Sequence, residues 1–275
     1  MSNQWLRVQG LKAGTQWRRT QGVGFARSLQ SVPLVAVELP SMVVSLPVAI
    51  VPQGVAGWRV VALMGVVPGS NACVGPQGQW LSRHVPAALR GHPFVWQADV
   101  DGEGAGELAL VSESRVAEPS AAAPAPGLEP VWAEDGQLSP QVLRVQSFLQ
   151  QVEQGMQALS VAAAQLHGAG LLEAWEPDGA VVPPVAPWYR VKESALNALP
   201  NAEFAALRAS GALALAYAQM LSTGQWPMLR QLAERATANA SQPQPAATTP
   251  ANPPSRSFVD PSALSFLQSL AQAQD

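Results

Sequence analysis

Apolar residues along this chain follow two rhythms. Over residues 32–111 they come in short runs cut by Pro and Gly, at residues 32–37, 42–46, 48–51 and 58–64. Residues 94–98 and 107–111 flank a Gly-rich loop. The β-branched and aromatic content of these runs predicts strands, and the last two predict a hairpin. The rhythm then lengthens. Val142, Val145, Leu149, Val152, Met156, Leu159, Ala163 and Leu166 are spaced alternately three and four apart. That spacing predicts one helical stripe. Ser139 supplies an N-cap, Pro140 takes the first helical position, and Gly168 and Gly170 supply the stop. The helix would be roughly 40 Å long at 1.5 Å per residue.

A second helix is expected over residues 201–221, with Phe204, Leu207, Gly211, Leu215, Ala218 and Leu221 on one face. A three-four seam also suits an intermolecular coiled coil. Gly155 and a flank poor in charge favour a buried intramolecular pair instead. Residues 175–190, rich in Pro and Val, predict a small β excursion, and residues 226–235 a final short helix. Residues 1–30, polar and mixed, with Trp5 and Trp17, read as an extended arm or an early hairpin.

These elements predict an α+β fold, a mainly antiparallel β-rich N-terminal half packed with a C-terminal helical half. The expected organisation is a β-rich part over 1–118, an Ala/Pro linker over 119–127 and a helical part over 128–236. Residues 237–257 are Ala, Pro, Gln, Ser and Thr and are expected to be disordered, because they cannot bury enough surface to offset chain entropy. Residues 258–275 predict a short amphipathic helix, with Asp260 as cap, Pro261 at the first position and an apolar edge of Leu264, Phe266, Leu267 and Leu270. Such a helix beyond a tether is a candidate docking peptide; folding back on its own domain is the equal alternative.

Composition narrows the function classes. Hydrophobic residues are 48% of the 275 and charged residues 13%, with a formal net charge of −3 and no cluster of Lys and Arg. Nucleic-acid binding is not expected, since phosphate contacts need clustered cations. The most apolar region, 32–67, is interrupted by Pro33, Pro40, Pro47 and Pro52 and carries Glu38 and Arg59. Strands and turns explain it better than a membrane span. The N-terminal stretch has no apolar core of a Sec-type signal, so a soluble, cytoplasmic protein is expected, with signal-free export left open. The single cysteine, Cys73, cannot form an intramolecular disulfide.

Candidate chemistry concentrates in residues 78–94, GQWLSRHVPAALRGHPF, with two His, two Arg, a Trp and a Phe. His84 and His92 stand eight apart with no CxxC or HExxH pattern, so no metal site and no cofactor are expected. The run Asp99 to Gly104 starts like a calcium loop, but its twelfth position is Leu110, which leaves a hairpin turn. Gly22-Val-Gly24 lacks the third Gly and the strand-to-helix setting of a dinucleotide fingerprint. Cys73 reads as a small buried hydrophobe. Glu38 lies in an apolar run. It is either buried against Arg83 or Arg90, or a charge on the solvated face of an edge strand.

Several runs, in order, resemble the SapC family of bacterial surface-layer-associated proteins. Val32-Pro-Leu-Val-Ala-Val-Glu-Leu-Pro40 is similar to that family's vPLvaaEfp run. Val61-Ala-Leu-Met-Gly65, Gly69-Ser-Asn71 and Gly78-Gln-Trp80 follow its LLGL…geNlfV…G.W run. Val85-Pro-Ala87, Arg90 and Pro93-Phe94 follow its YIPayiRryPF run, the most specific of the set. Leu138 to Leu172 and Leu207 to Ser222 resemble its two later helices. The family pattern has aromatic Tyr where this chain has His84 and His92, so both imidazoles read as packing or hydrogen-bonding groups. The family's Nlf stands here as Asn71-Ala-Cys73, and its acidic-Glu-x-Ser run as residues 111–115 without the first acid.

The resemblance implies a link to surface-layer or outer-membrane receptor systems and brings no established catalytic residue with it. The reading adopted is a non-catalytic binding or accessory protein that engages a peptide or protein partner. Its candidate groove lies near Trp80, Arg83, Arg90 and Phe94, with Glu38 as internal counter-charge; Arg holds carboxylates bidentately and the aromatics add apolar contact. One alternative is an enzyme or accessory in an oxidative tailoring system, which needs His84, His92 and Glu38 to converge. The other is an assembly protein docking through its terminal helix. Self-association stays open under each.

Overall fold

The structure, a computed structural model, describes residues 5–54, 57–97, 106–116, 127–183 and 186–240. Its strands are β1 (Trp5–Arg7), β2 (Gln16–Arg18), β3 (Ser31–Pro33), β4 (Val48–Pro52), β5 (Trp58–Leu63), β6 (Phe94–Gln97), β7 (Glu107–Val111), β8 (Arg115–Val116), β9 (Leu128–Pro130), β10 (Leu172–Ala174) and β11 (Tyr189–Val191). Its helices are α1 (Leu39–Val43), α2 (Ala87–Arg90), α3 (Pro140–Gly168), α4 (Glu193–Asn197), α5 (Asn201–Ala209), α6 (Ala212–Ser222) and α7 (Trp226–Ala240). The α+β class follows, with every strand pairing antiparallel.

The central sheet has the order β10-β11-β4-β5-β3. β4 and β5 form its hairpin, from Val48 opposite Ala62 to Pro52 opposite Trp58. Val48, Ala49 and Ile50 are all fully buried, so the sheet is covered on both faces here. That is why β4 reads as a continuous apolar run rather than an alternating one. A second sheet has the order β1-β7-β6, with Phe94 opposite Leu110, and a third the order β8-β2-β9. β1 and β2 pair with later strands and not with each other, so the N-terminal segment is an extended arm rather than a hairpin.

α3 joins the layers. Ser139 Oγ accepts from the Val142 N–H at 3.4 Å and donates to the Pro130 carbonyl at 2.8 Å, which caps the helix and ties it to β9. Val142, Leu149, Val152, Leu159, Ala162, Ala163 and Leu166 form its buried face, with Val145 and Met156 partly buried beside them. This face packs on β5, β6 and α6. At Gly155 the helix passes so close to the 3₁₀ turn over Ala36–Glu38 that an added Cβ would lie 2.8 Å from the Val35 Cβ.

Three expected elements differ. Residues 42–46 do not form a strand; they belong to α1 and the turn after it. Pro40 near the helix start and the burial of Leu39 and Met42 on one side override the β propensity of the Val pair. The strand expected over 32–37 stops at Pro33 and continues as the 3₁₀ turn that carries Glu38. The single helix expected over 201–221 is two helices, bent by 91° where Gly211 takes φ 80°. Few other residues adopt that angle without strain. The final helix runs past Arg235 to Ala240. Apart from Gly127, the Ala/Pro linker lies outside the described residues, as do residues 241–275 with Leu264, Phe266, Leu267 and Leu270. Among the described residues no single helix is long and apolar enough to cross a membrane.

Candidate functional site

Glu38 closes the 3₁₀ turn and is 3% exposed. A carboxylate removed from water needs donors for its lone pairs or it is strongly destabilising. Glu38 finds four. Its Oε2 accepts from the Val35 N–H at 3.4 Å, reaching back over its own turn as a capping glutamate does. Its Oε1 accepts from the Ala87 N–H at 2.5 Å, from Arg90 Nη2 at 3.0 Å and from His84 Nε2 at 2.9 Å. The last distance assigns a proton to Nε2, since a bare ring nitrogen would face a carboxylate oxygen. Ala87 and Arg90 open and close α2, so one carboxylate holds both ends of that turn.

Of the two sequence readings of Glu38, burial against an arginine is the one observed, and the arginine is Arg90. Its guanidinium also lies 5.9 Å from the centroid of Phe148 on α3, within cation–π range. The buried Arg90 Nε has no hydrogen-bond partner among the described residues. Arg83 is exposed and makes no ion pair among the described residues.

The five candidate groove residues are therefore not gathered on one open surface. Trp80 is partly buried, and its indole N–H donates to the His84 carbonyl at 2.9 Å, which folds residues 80–84 into a loop. Phe94 is 1% exposed and packs edge-on against Trp17 at 4.8 Å between centroids. It belongs to the core under the second sheet, with Leu108, Leu110, Val142 and Leu149, and presents no face to a ligand. An alternation-based reading cannot separate an aromatic that lines a groove from one that fills a core.

His92 also departs from any shared cluster. Its ring stacks on Phe25 at 3.7 Å and its Nδ1 pairs with the Thr20 hydroxyl at 2.7 Å, while His84 serves Glu38. Burial pushes His92 down from 6.5 to about 4. The ring occupies an aromatic place in the packing, as expected for a residue that stands in for Tyr. His84 does more than that, because its N–H completes the Glu38 shell. Cys73 is fully buried, and burial pushes its thiol up to about 12. Among the described residues no three His, Cys, Asp or Glu side chains are grouped to hold a metal ion.

The Glu38 cluster has a structural consequence at the surface. The His84–Glu38 bond joins one end of the loop 81–84 to the 3₁₀ turn, and Ser82 Oγ donates to the Ser45 carbonyl at 3.3 Å at the far end of α1. The loop therefore lies along residues 38–45. Val37, Val44 and Leu81 flank these tie points and are 49%, 52% and 45% exposed. They were not singled out by pattern. In a strand an apolar run hides one face, whereas on the successive turns of this segment Val37, Pro40 and Val44 are the exposed positions.

The family model described as SapC matches residues 12–229, well over half of the 275-residue chain. The matched span contains the Glu38 cluster and every strand except β1. No curated protein and no solved structure is found to match.

Proposed function

The chain belongs to the SapC family, and from that premise we propose that it is a non-catalytic binding protein that engages a peptide or protein partner. The reading rests on one observation. Glu38, the buried carboxylate of the candidate site, accepts from internal donors on both oxygens, three of them on Oε1, and the segments it ties together carry the exposed side chains of Val37, Val44 and Leu81.

A general base must have a free lone pair within hydrogen-bond reach of its substrate. Glu38 Oε1 already takes three N–H donors, His84 among them, and Oε2 faces the Val35 N–H at 3.4 Å. The cluster is better suited to rigidity than to proton transfer. Exposed aliphatic side chains held on a rigid frame lose little entropy on association, which favours a docking role. An accessory protein of surface-layer or outer-membrane receptor systems would use such a surface to hold another protein.

The test is a comparison of proteins captured by the wild type and by the Val44→Asp, Leu81→Asp double variant, from an extract of the native host. Both changes are at exposed positions, so thermal unfolding should be unchanged. The proposal expects a defined partner on the wild type that the double variant fails to hold. Equal capture by the two, with both folded, would remove this surface from the function.

A further inference from the structure

We infer that the exposed face of α6 is a self-association surface, covered by α6 of a second copy of this chain lying antiparallel to it. The inference does not rest on the binding role above and involves none of the residues varied in its test.

α6 contains no charged residue, and its polarity is turned inward. Gln219 and Ser222 are fully buried. Gln219 Oε1 accepts from the Val191 N–H at 2.8 Å, and its Nε2 donates to the Val48 carbonyl at 3.0 Å. Ser222 Oγ accepts from the Val48 N–H at 3.0 Å. These bonds to β4 and β11 fix the rotation of the helix, since turning it would leave buried donors and acceptors unpaired. Leu221 is thereby held outward at 65% exposure and Tyr217 at 43%. With Ala214 they are the exposed positions of α6. Their spacing of four and three puts them on one helical face, so the helix itself makes the stripe contiguous. A helix that is apolar all round is ordinarily enclosed, and this one is enclosed on one side only.

Charge and size both fit a second copy. α6 packs against α1, α3, α5, β4, β11 and the 3₁₀ turn over Thr223–Gln225. α1, β4 and that turn carry no charged residue. α3 carries Arg144 and Glu153, with His167 in its last turn, and α5 carries Glu203 and Arg208. Arg190 on β11 pairs with Glu173 at 2.8 Å. Each flanking charged helix therefore has one arginine and one glutamate, which offers no single sign for a charged partner to read. An identical copy brings no net like charge against it.

The sizes along the stripe are self-complementary. Ala214 and Leu221 lie symmetrically about the midpoint between Tyr217 and Ala218. Antiparallel pairing about that midpoint sets Leu221 of each copy over Ala214 of the other, a large side chain on a small one, twice. This is the reciprocal matching that a two-fold contact requires. A parallel pair would set leucine on leucine at one end and leave a gap between alanines at the other. The 11-residue helix is about 16 Å long, and its stripe presents less than the roughly 800 Å² per partner of a standard interface. The dimer is therefore weak, with a dissociation constant of roughly 10–100 μM.

The experiment is sedimentation equilibrium of the full chain from about 1 to about 300 μM. Monomer is expected at the low end and dimer at the high end. Leu221→Lys should weaken the dimer about tenfold or more. Adding Ala214→Glu to Leu221→Lys in one chain should tighten it again by about tenfold at low salt, because two new ion pairs then cross the contact, and the gain should fade at high salt. Both changes are at exposed positions and suit the helix, a glutamate in its first turn and a lysine in its last. Unchanged thermal unfolding is the folding control. Leu143→Lys, the same change at a leucine of α3 that is 46% exposed, should leave the dimer as it is.

Monomer across the whole range overturns the inference. So does a dimer that Leu221→Lys leaves intact, or that Leu143→Lys weakens equally. A double variant no tighter than Leu221→Lys alone removes the antiparallel pairing, since in a parallel pair the new lysines face each other.

Discussion

Arg90 places its Nη2 3.0 Å from Oε1 of Glu38, a carboxylate that is 3% exposed and lies 52 residues earlier in the chain. The pair fastens α2 to the turn before α1. Breaking a buried pair from one side leaves the other charge uncompensated and costs about 3–5 kcal/mol. Arg90 keeps 27% of its side chain exposed, so the cost here should sit nearer the lower end, at about 2–4 kcal/mol. Arg90→Met retains the stem beside Phe148 and removes the charge. It should lower the urea midpoint markedly, and so should Glu38→Gln. The double variant should lose less than the sum of the two singles, because the second change removes the orphaned partner. Strict additivity would show that the two side chains do not act as a pair.

How much of this was legible beforehand depends on the range of the interaction. Ser139 and Pro140 announce α3 because a cap and the following stripe are local signals. The β4–β5 hairpin is legible for the same reason. Residues 42–46 mislead because their Val and Met content suits a strand, and only packing of Leu39 and Met42 on one side decides for a helix. The Glu38 shell draws on residues 35, 84, 87 and 90. Sequence spacing names arginine candidates for Glu38 but cannot choose Arg90 over Arg83, since the choice is made by how α2 folds onto the 3₁₀ turn. The same is true of Phe94. Its type says apolar contact, and only the neighbouring Trp17, Leu108 and Leu110 say that the contact is internal.

His92 should make stability depend on pH in a window set by its two states. Its value falls from 6.5 to about 4 on burial, so the unfolded chain binds more protons between these limits. The contribution is present above pH 6.5 and is lost as pH falls toward 4. A full shift of that size corresponds to at most about 3 kcal/mol, reduced because the ring is only partly enclosed. Unfolding free energy measured from pH 7 to pH 4 should fall by about 1–2 kcal/mol more in the wild type than in His92→Phe. The variant keeps the stacking on Phe25 and gives up the bond to Thr20, so it should lose about 1 kcal/mol at pH 7. Parallel pH curves for the two proteins would show that His92 is not the titrating group.

Cys73 offers a direct probe of the core. The thiolate is the nucleophile, and a thiol pushed up to about 12 and fully buried supplies almost none at neutral pH. The native protein should therefore be inert to a thiol-reactive dye at pH 7.5, and denaturant should expose one reactive thiol per chain. Rapid labelling under native conditions would mean that the strand-and-turn region around Cys73 opens far more readily than its packing implies.

Gly155 and Val35 give the most discriminating test of how α3 meets the sheet layer. Alanine at 155 gains about 1 kcal/mol of helix propensity over glycine. Its Cβ, however, would stand 2.8 Å from the Cβ of Val35, a β-branched residue that is 4% exposed and whose N–H is held by Glu38. Over-packing of this kind costs about 1–3 kcal/mol. The clash should win, so Gly155→Ala is expected to be destabilising by about 1 kcal/mol despite its better propensity. Val35→Ala alone should also destabilise, through the space it leaves in the core. In that background the obstruction is gone and only propensity remains, so Gly155→Ala should become stabilising. The sign reversal can be read from urea midpoints of the four proteins in one double-mutant cycle. If Gly155→Ala has the same sign in both backgrounds, close approach to Val35 is not the reason for glycine at this position.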